Sequence, residues 1–88
     1  MKFTYYGHSA FTLSDGQTTL LFDPFITDNP WTNVCPTDIA CQYILISHAH
    51  GDHYGDAEAI AKAQDATIIS TAEIAGKAGE AGCKAHAM

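Results

Sequence analysis

From Tyr43 onward this 88-residue chain alternates two kinds of segment, and that alternation limits its fold more than any other feature. Tyr43–Ser47 is a continuous apolar, β-prone run, which points to a strand buried on both faces. Asp56 stands where a helix N-cap would, and Ala57–Gln64 is alanine-rich, carries Ile60 and is ended by Asp65. Ala66–Ile69 is short and β-branched, as strands are. Ser70 and Glu73 have the spacing of a capping box, which opens a second helix through about Ala81, with Gly82 as its C′ residue. Cys83–Met88 reads as the approach to a further strand. Strand, helix, strand, helix, strand is βαβ order, and it predicts a parallel sheet with right-handed crossovers.

The first part of the chain follows a different rule. Lys2–Tyr6 is aromatic and β-prone, and Gly7-His8-Ser9 interrupts it. Ala10–Ser14 alternates, with Ala10, Thr12 and Ser14 on one face and Phe11 and Leu13 on the other. Asp15-Gly16 is a turn signal, and Thr18–Phe22 is the return strand, so these segments predict an antiparallel meander. Pro24 cannot continue a ladder and biases Asp23 toward an extended backbone. An acid is thereby placed just beyond an apolar strand. Phe25–Gln42 lacks periodicity; a stretch of that length is functional or carries short irregular turns. Its Phe25 and Trp31 either line a pocket wall or cap the core. The sum is an α/β fold with a mixed sheet, in one domain without visible repeat or boundary.

Charge and cysteine usage narrow the function. Four lysines, no arginine and ten acids give a net charge of −6, which disfavours nucleic acid and anionic membrane as partners. An anionic substrate stays possible where bound divalent ions offset that charge. Cys35, Cys41 and Cys83 are odd in number and contain no C-x-x-C pair, so they read as small buried hydrophobes in a reducing compartment. Cys35 and Cys41 as soft metal ligands is the alternative. The first residues lack the apolar core of a signal peptide, and the expected location is cytoplasmic.

The chemistry is concentrated in His48-Ala49-His50-Gly51-Asp52-His53. Neutral imidazole and carboxylate suit zinc and similar first-row ions. His48 and His50, two apart in an extended loop, can point one way, and Asp52 and His53 can point to a second locus. Gly51 allows the sharp path between the pairs. Two pairs aimed at two points indicate two metals, which together can bridge a hydroxide and polarise a carbonyl or phosphoryl oxygen. Asp52 would hold one ion and help orient that hydroxide.

This pattern, His48-x-His50-x-Asp52-His53, resembles the signature of the metallo-β-lactamase fold superfamily. Tyr6-Gly7-His8-Ser9, Leu21-Phe22-Asp23-Pro24-Phe25 and Ile44-Leu45-Ile46-Ser47 are similar to one branch of it, uncharacterised metal-dependent hydrolases related to L-ascorbate-6-phosphate lactonase. The resemblance runs along nearly the whole chain. It implies the N-terminal half of an αββα sandwich, with a dinuclear metal site at one edge holding zinc, or manganese or iron. His48 and His50 would be ligands of one ion, Asp52 and His53 of the other. Asp23 would support those ligands from behind. His8 would lie near the site mouth, facing substrate, supporting ligands or serving structure alone. The implied activity is hydrolysis of an ester, lactone, amide or phosphoester of a small molecule.

Family members supply three more ligands after the region matched here, so residues 1–88 are expected to form a partial domain. His86 does not sit where the next ligand falls and reads as an ordinary strand residue. Half of such a sandwich would expose a sheet face. The chain is therefore expected to be a fragment of a longer enzyme, to pair with a second polypeptide, or to self-associate. The alternative to an enzyme is a metal-binding or interaction half-domain without catalysis of its own.

Overall fold

In a computed structural model, residues 2–7, 10–24, 26, 35–47 and 56–87 are described. They form strands β1 (Lys2–Gly7), β2 (Ala10–Ser14), β3 (Thr19–Phe22), β4 (Tyr43–Leu45), β5 (Thr67–Ser70) and β6 (Lys84–Ala87). Helix α1 (Ala57–Gln64) joins β4 to β5 in sequence, helix α2 (Ala72–Glu80) joins β5 to β6, and a 3-10 turn covers Pro36–Asp38. One six-stranded sheet contains all the strands in sequence order. β1, β2 and β3 pair antiparallel, whereas β3–β4, β4–β5 and β5–β6 are parallel. The mixed sheet expected from the sequence is therefore present, with the change of direction falling at the β3–β4 pair.

Local chemistry accounts for the element ends. At the first hairpin the Asp15 carboxylate accepts the N–H groups of Gln17 (2.9 Å) and Thr18 (2.8 Å), and Gly16 takes φ +96°. Those two backbone donors hold the exposed Asp15 carboxyl below its ordinary pKa of 3.8. The connection spans Asp15–Thr18, longer than a two-residue turn, so β3 begins at Thr19. α1 ends at Asp65 in the left-handed region, φ +55°. α2 ends in a Schellman arrangement: Cys83 N–H donates to Ala78 O and Gly82 N–H to Gly79 O, both at 3.0 Å, with Gly82 at φ +92°. Its start departs from expectation. Thr71 is the N-cap, accepting from Ile74 N–H at 3.5 Å, while Ser70 remains in β5.

The pairing register sorts the sheet into two faces. Leu21, Ile44 and Ile68 lie side by side and are fully buried. The core joins them to Ala57, Ile60 and Ala61 of α1, to Ile74 and Ala78 of α2, and to Ile26, Ile39 and Cys41 from the β3–β4 connection. Each large aliphatic side chain buried there contributes about 1.5–3 kcal/mol. On the opposite face, Tyr5, Phe11, Phe22, Leu45 and Ile69 form one cross-strand row, and Phe3, Leu13, Leu20 and Tyr43 form a second. Phe11 stacks on Phe22 with centroids 4.5 Å apart. Yet Phe3 is 59% exposed, Tyr5 61% and Tyr43 40%.

One expectation is corrected by this arrangement. β4 is buried on one face only, because the helices cover Ile44 and leave Tyr43 and Leu45 on the open side. In β2 the buried set is Ala10 and Thr12, the smaller residues, for the same reason.

Candidate metal centre

β3 and β4 run parallel and finish opposite one another, Phe22 beside Leu45, so both chains leave the same end of the sheet. Asp23 is the first residue past β3. Its N–H donates to Leu45 O at 2.9 Å, and its φ of +42° is in the left-handed region, which Asp tolerates better than most residues. The expected extended backbone before Pro24 is thus not what forms. In the turned conformation, Asp23 Oδ1 accepts Ser47 N–H at 2.7 Å and Oδ2 accepts the Ser47 hydroxyl at 2.8 Å. Two charge-assisted bonds of that length outweigh a modest backbone cost. The Asp23 side is buried, at 8% exposure, and Ser47 immediately precedes His48.

Two more contacts frame the same exit. The Ser70 hydroxyl, fully buried at the end of β5, donates to Ile46 O at 2.6 Å. Asp56 takes the N-cap place of α1, and its backbone carbonyl accepts Ile60 N–H. Its side chain makes no capping bond, contrary to expectation; instead Oδ2 accepts Ile26 N–H at 2.9 Å. Asp56 N–H in turn donates to Pro24 O at 2.9 Å. A cavity of about 200 Å³ lies beside this frame, lined by Phe22, Asp23, Leu45, Ile46, Ser47 and Ile69.

Of the site residues read from the sequence, Asp23 alone is described. His8, His48, His50, Asp52 and His53 lie outside the described residues, as do Phe25 and Trp31. Among the described residues, no group of three or more His, Cys, Asp or Glu is placed to hold a metal ion. Cys41 is 2% exposed, and burial pushes its thiol up to about 11, which suits a core hydrophobe better than a ligand. Cys83 is half-buried and Cys35 exposed, so Cys35 departs from the buried reading. His86 lies exposed on β6 opposite Ile69, an ordinary strand position. Sequence reasoning missed Ser47, Ser70 and the Asp56–Ile26 bond. Ser47 had one signal, a hydroxyl between an apolar strand and the His-rich segment; Ser70 had none.

Fold and frame together define an α/β domain with a mixed sheet, whose strand ends lead into a sequence segment rich in His and Asp. Residues 2–86 match the family model described as "Beta-lactamase superfamily domain", and the chain belongs to that family. A relative from Natranaerobius thermophilus named "UPF0173 metal-dependent hydrolase" is 50% identical over 100% of this chain and 40% of its own length. One of the same name from Heliobacterium modesticaldum is 52% identical over 97% of this chain and 36% of its own. Among solved structures, Igni18, described as a novel metallo hydrolase from the hyperthermophilic archaeon Ignicoccus hospitalis, matches with TM-score 0.87 and 31% identity. It covers 98% of this chain, which spans 38% of Igni18. The chain thus spans about 40% of the length of the relatives named here.

Proposed function

We propose that this chain carries the metal-ligand segment of a hydrolase acting on an ester, lactone, amide or phosphoester of a small molecule. The observation that supports it most is the Asp23–Ser47 pair, which fixes the backbone immediately before His48. The donor set of three imidazoles and a carboxylate fits a borderline divalent ion, zinc first, with manganese or iron as alternatives. His48 with His50, and Asp52 with His53, would hold two such ions. Divalent ions so held would supply a more acidic water and a polarised carbonyl or phosphoryl oxygen. Asp52 would also orient the attacking water. Asp23, which holds Ser47, would support the ligands from behind, and His8 would stand near the site mouth.

Metal analysis of the purified chain after zinc or manganese loading tests the ligand assignment. Loss of bound metal on changing His48 and His50 to Ala supports it; unchanged metal content overturns it. Hydrolysis of a panel of esters, lactones and phosphodiesters, with and without zinc or manganese, tests the reaction. Activity that survives complete metal removal would rule the reading out.

A second reading is a metal-binding or interaction half-domain that does not catalyse by itself. The open sheet face favours it. In that case a second polypeptide or a second copy would cover the face. No nucleic-acid or membrane partner is proposed, given a net charge of −6 without arginine. No helix among the described residues is long and apolar enough to cross a membrane. A cytoplasmic location is part of the same proposal.

A further inference from the structure

The helix-side face of the sheet changes character toward β1. Under the helices it is apolar, with Leu21, Ile44 and Ile68 side by side. The same cross-strand row continues outward from Leu21 through Thr12 to Thr4, and the next row runs from Thr19 through Ser14 to Lys2. The helices pack over β5 and β6, and a groove of about 240 Å³ lies above these polar rows. Tyr6, Asp38 and Ile39 add to its walls. A strand face that is only solvated would leave its threonines open to water. Thr12 is instead 6% exposed. Among the described residues none makes a hydrogen bond to the Thr12 hydroxyl, and no buried side-chain polar atom among them lacks a partner. The Thr12 hydroxyl therefore keeps its access through the groove that it lines.

We propose that this groove binds a neutral polyhydroxy compound the size of one sugar ring. A hydroxyl both donates and accepts, so Thr4, Thr12 and Thr19 can each answer a sugar hydroxyl in either sense. Ser14 Oγ already accepts Gly16 N–H at 3.2 Å and still has its proton to donate. Lys2 adds a donor and Asp38 an acceptor. One cation and one anion leave the groove without net charge, and in a chain of net charge −6 that suits a neutral ligand better than an anion. Half-buried Tyr6 and buried Ile39 supply apolar surface for the C–H face of the ring. The volume falls below the roughly 300–1,000 Å³ of sites for drug-sized ligands, so the occupant is small. None of the candidate metal ligands takes part.

The test uses the whole chain with D-glucose, D-ribose and myo-inositol as probes, read by saturation-transfer NMR on the probe, which also works on a self-associated chain. Transfer to the ring protons of at least one probe is expected, with a Kd on the order of millimolar for a groove open to solvent. Thr12→Val keeps the β-branched shape and removes the hydroxyl, and should weaken binding by roughly 2- to 10-fold, the loss of one neutral hydrogen bond. Asp38→Ala, at an exposed turn residue, should weaken it at least as much and gives a reading even where Thr12→Val does not fold. Inorganic phosphate and glycine should not displace the probe. No transfer to any of the three probes, an affinity that neither folded variant changes, or displacement by phosphate or glycine overturns the proposal.

Discussion

Asp23 and Ser47 are 24 positions apart, and each carboxylate oxygen of the one receives a donor from the other. Charge-assisted bonds of this kind contribute roughly 1.5–3 kcal/mol each, less where a partner is open to water, as Ser47 is. Asp23→Ala is therefore expected to lower unfolding free energy by about 2–3 kcal/mol in urea denaturation, by lost bonds and by a worse fit to φ +42°. Asp23→Asn, which tolerates that backbone and still accepts one bond, should lose about half as much. The type and place of Asp23 were legible in the sequence as an acid after an apolar strand before Pro24. Its turned backbone was not, because the partner that stabilises it is distant in sequence. Thiol chemistry gives a second residue-scale prediction. Alkylation at neutral pH should modify exposed Cys35 first and leave Cys41 until unfolding. Since the folded Cys41 pKa is raised from 9.0 to about 11, folding keeps the thiol protonated where the unfolded chain would ionise. That contribution is intact below pH 9.0 and is lost as pH rises through about 11, so stability should fall over this window and fall less in Cys41→Ala.

Elements were more legible than contacts. The order of strands and helices from Tyr43 follows the sequence pattern, and Gly82 takes the C′ place its position implied. Gly82→Ala should cost about 1 kcal/mol in thermal or urea unfolding. The cost comes from backbone alone, since a Cβ there meets only Lys62 Cε at 3.9 Å. The cap of α2 shows why boundaries are harder. Ser70 and Thr71 both have a hydroxyl suited to an N-cap, and only the buried Ile46 carbonyl beside Ser70 decides between them. Asp56 shows the same limit, as its carboxylate answers a distant N–H in place of a local one.

At the scale of the whole molecule, the two sheet faces differ in what covers them. Period-two patterning identified both faces of β2, but nothing local says which side helices occupy. The open face carries Phe3, Tyr5 and Tyr43 together with the Phe11–Phe22 stack. An apolar surface of this extent is uncommon on a solitary soluble monomer. The purified chain should sediment as more than a monomer or bind a hydrophobic dye, and Phe3→Lys with Tyr43→Lys should reduce both signals. A monomer that unfolds cooperatively and binds no dye would count against an interface on this face.

Strand order in the sheet equals strand order in the chain. As synthesis proceeds from the N-terminus, each new strand finds its neighbour already made, and no strand waits for a later one to open a place between two others. Sheets with inserted strands have no such vectorial path and must close longer loops before gaining any pairing. Assembly of this sheet can keep pace with the ribosome, hairpin first and β6 last.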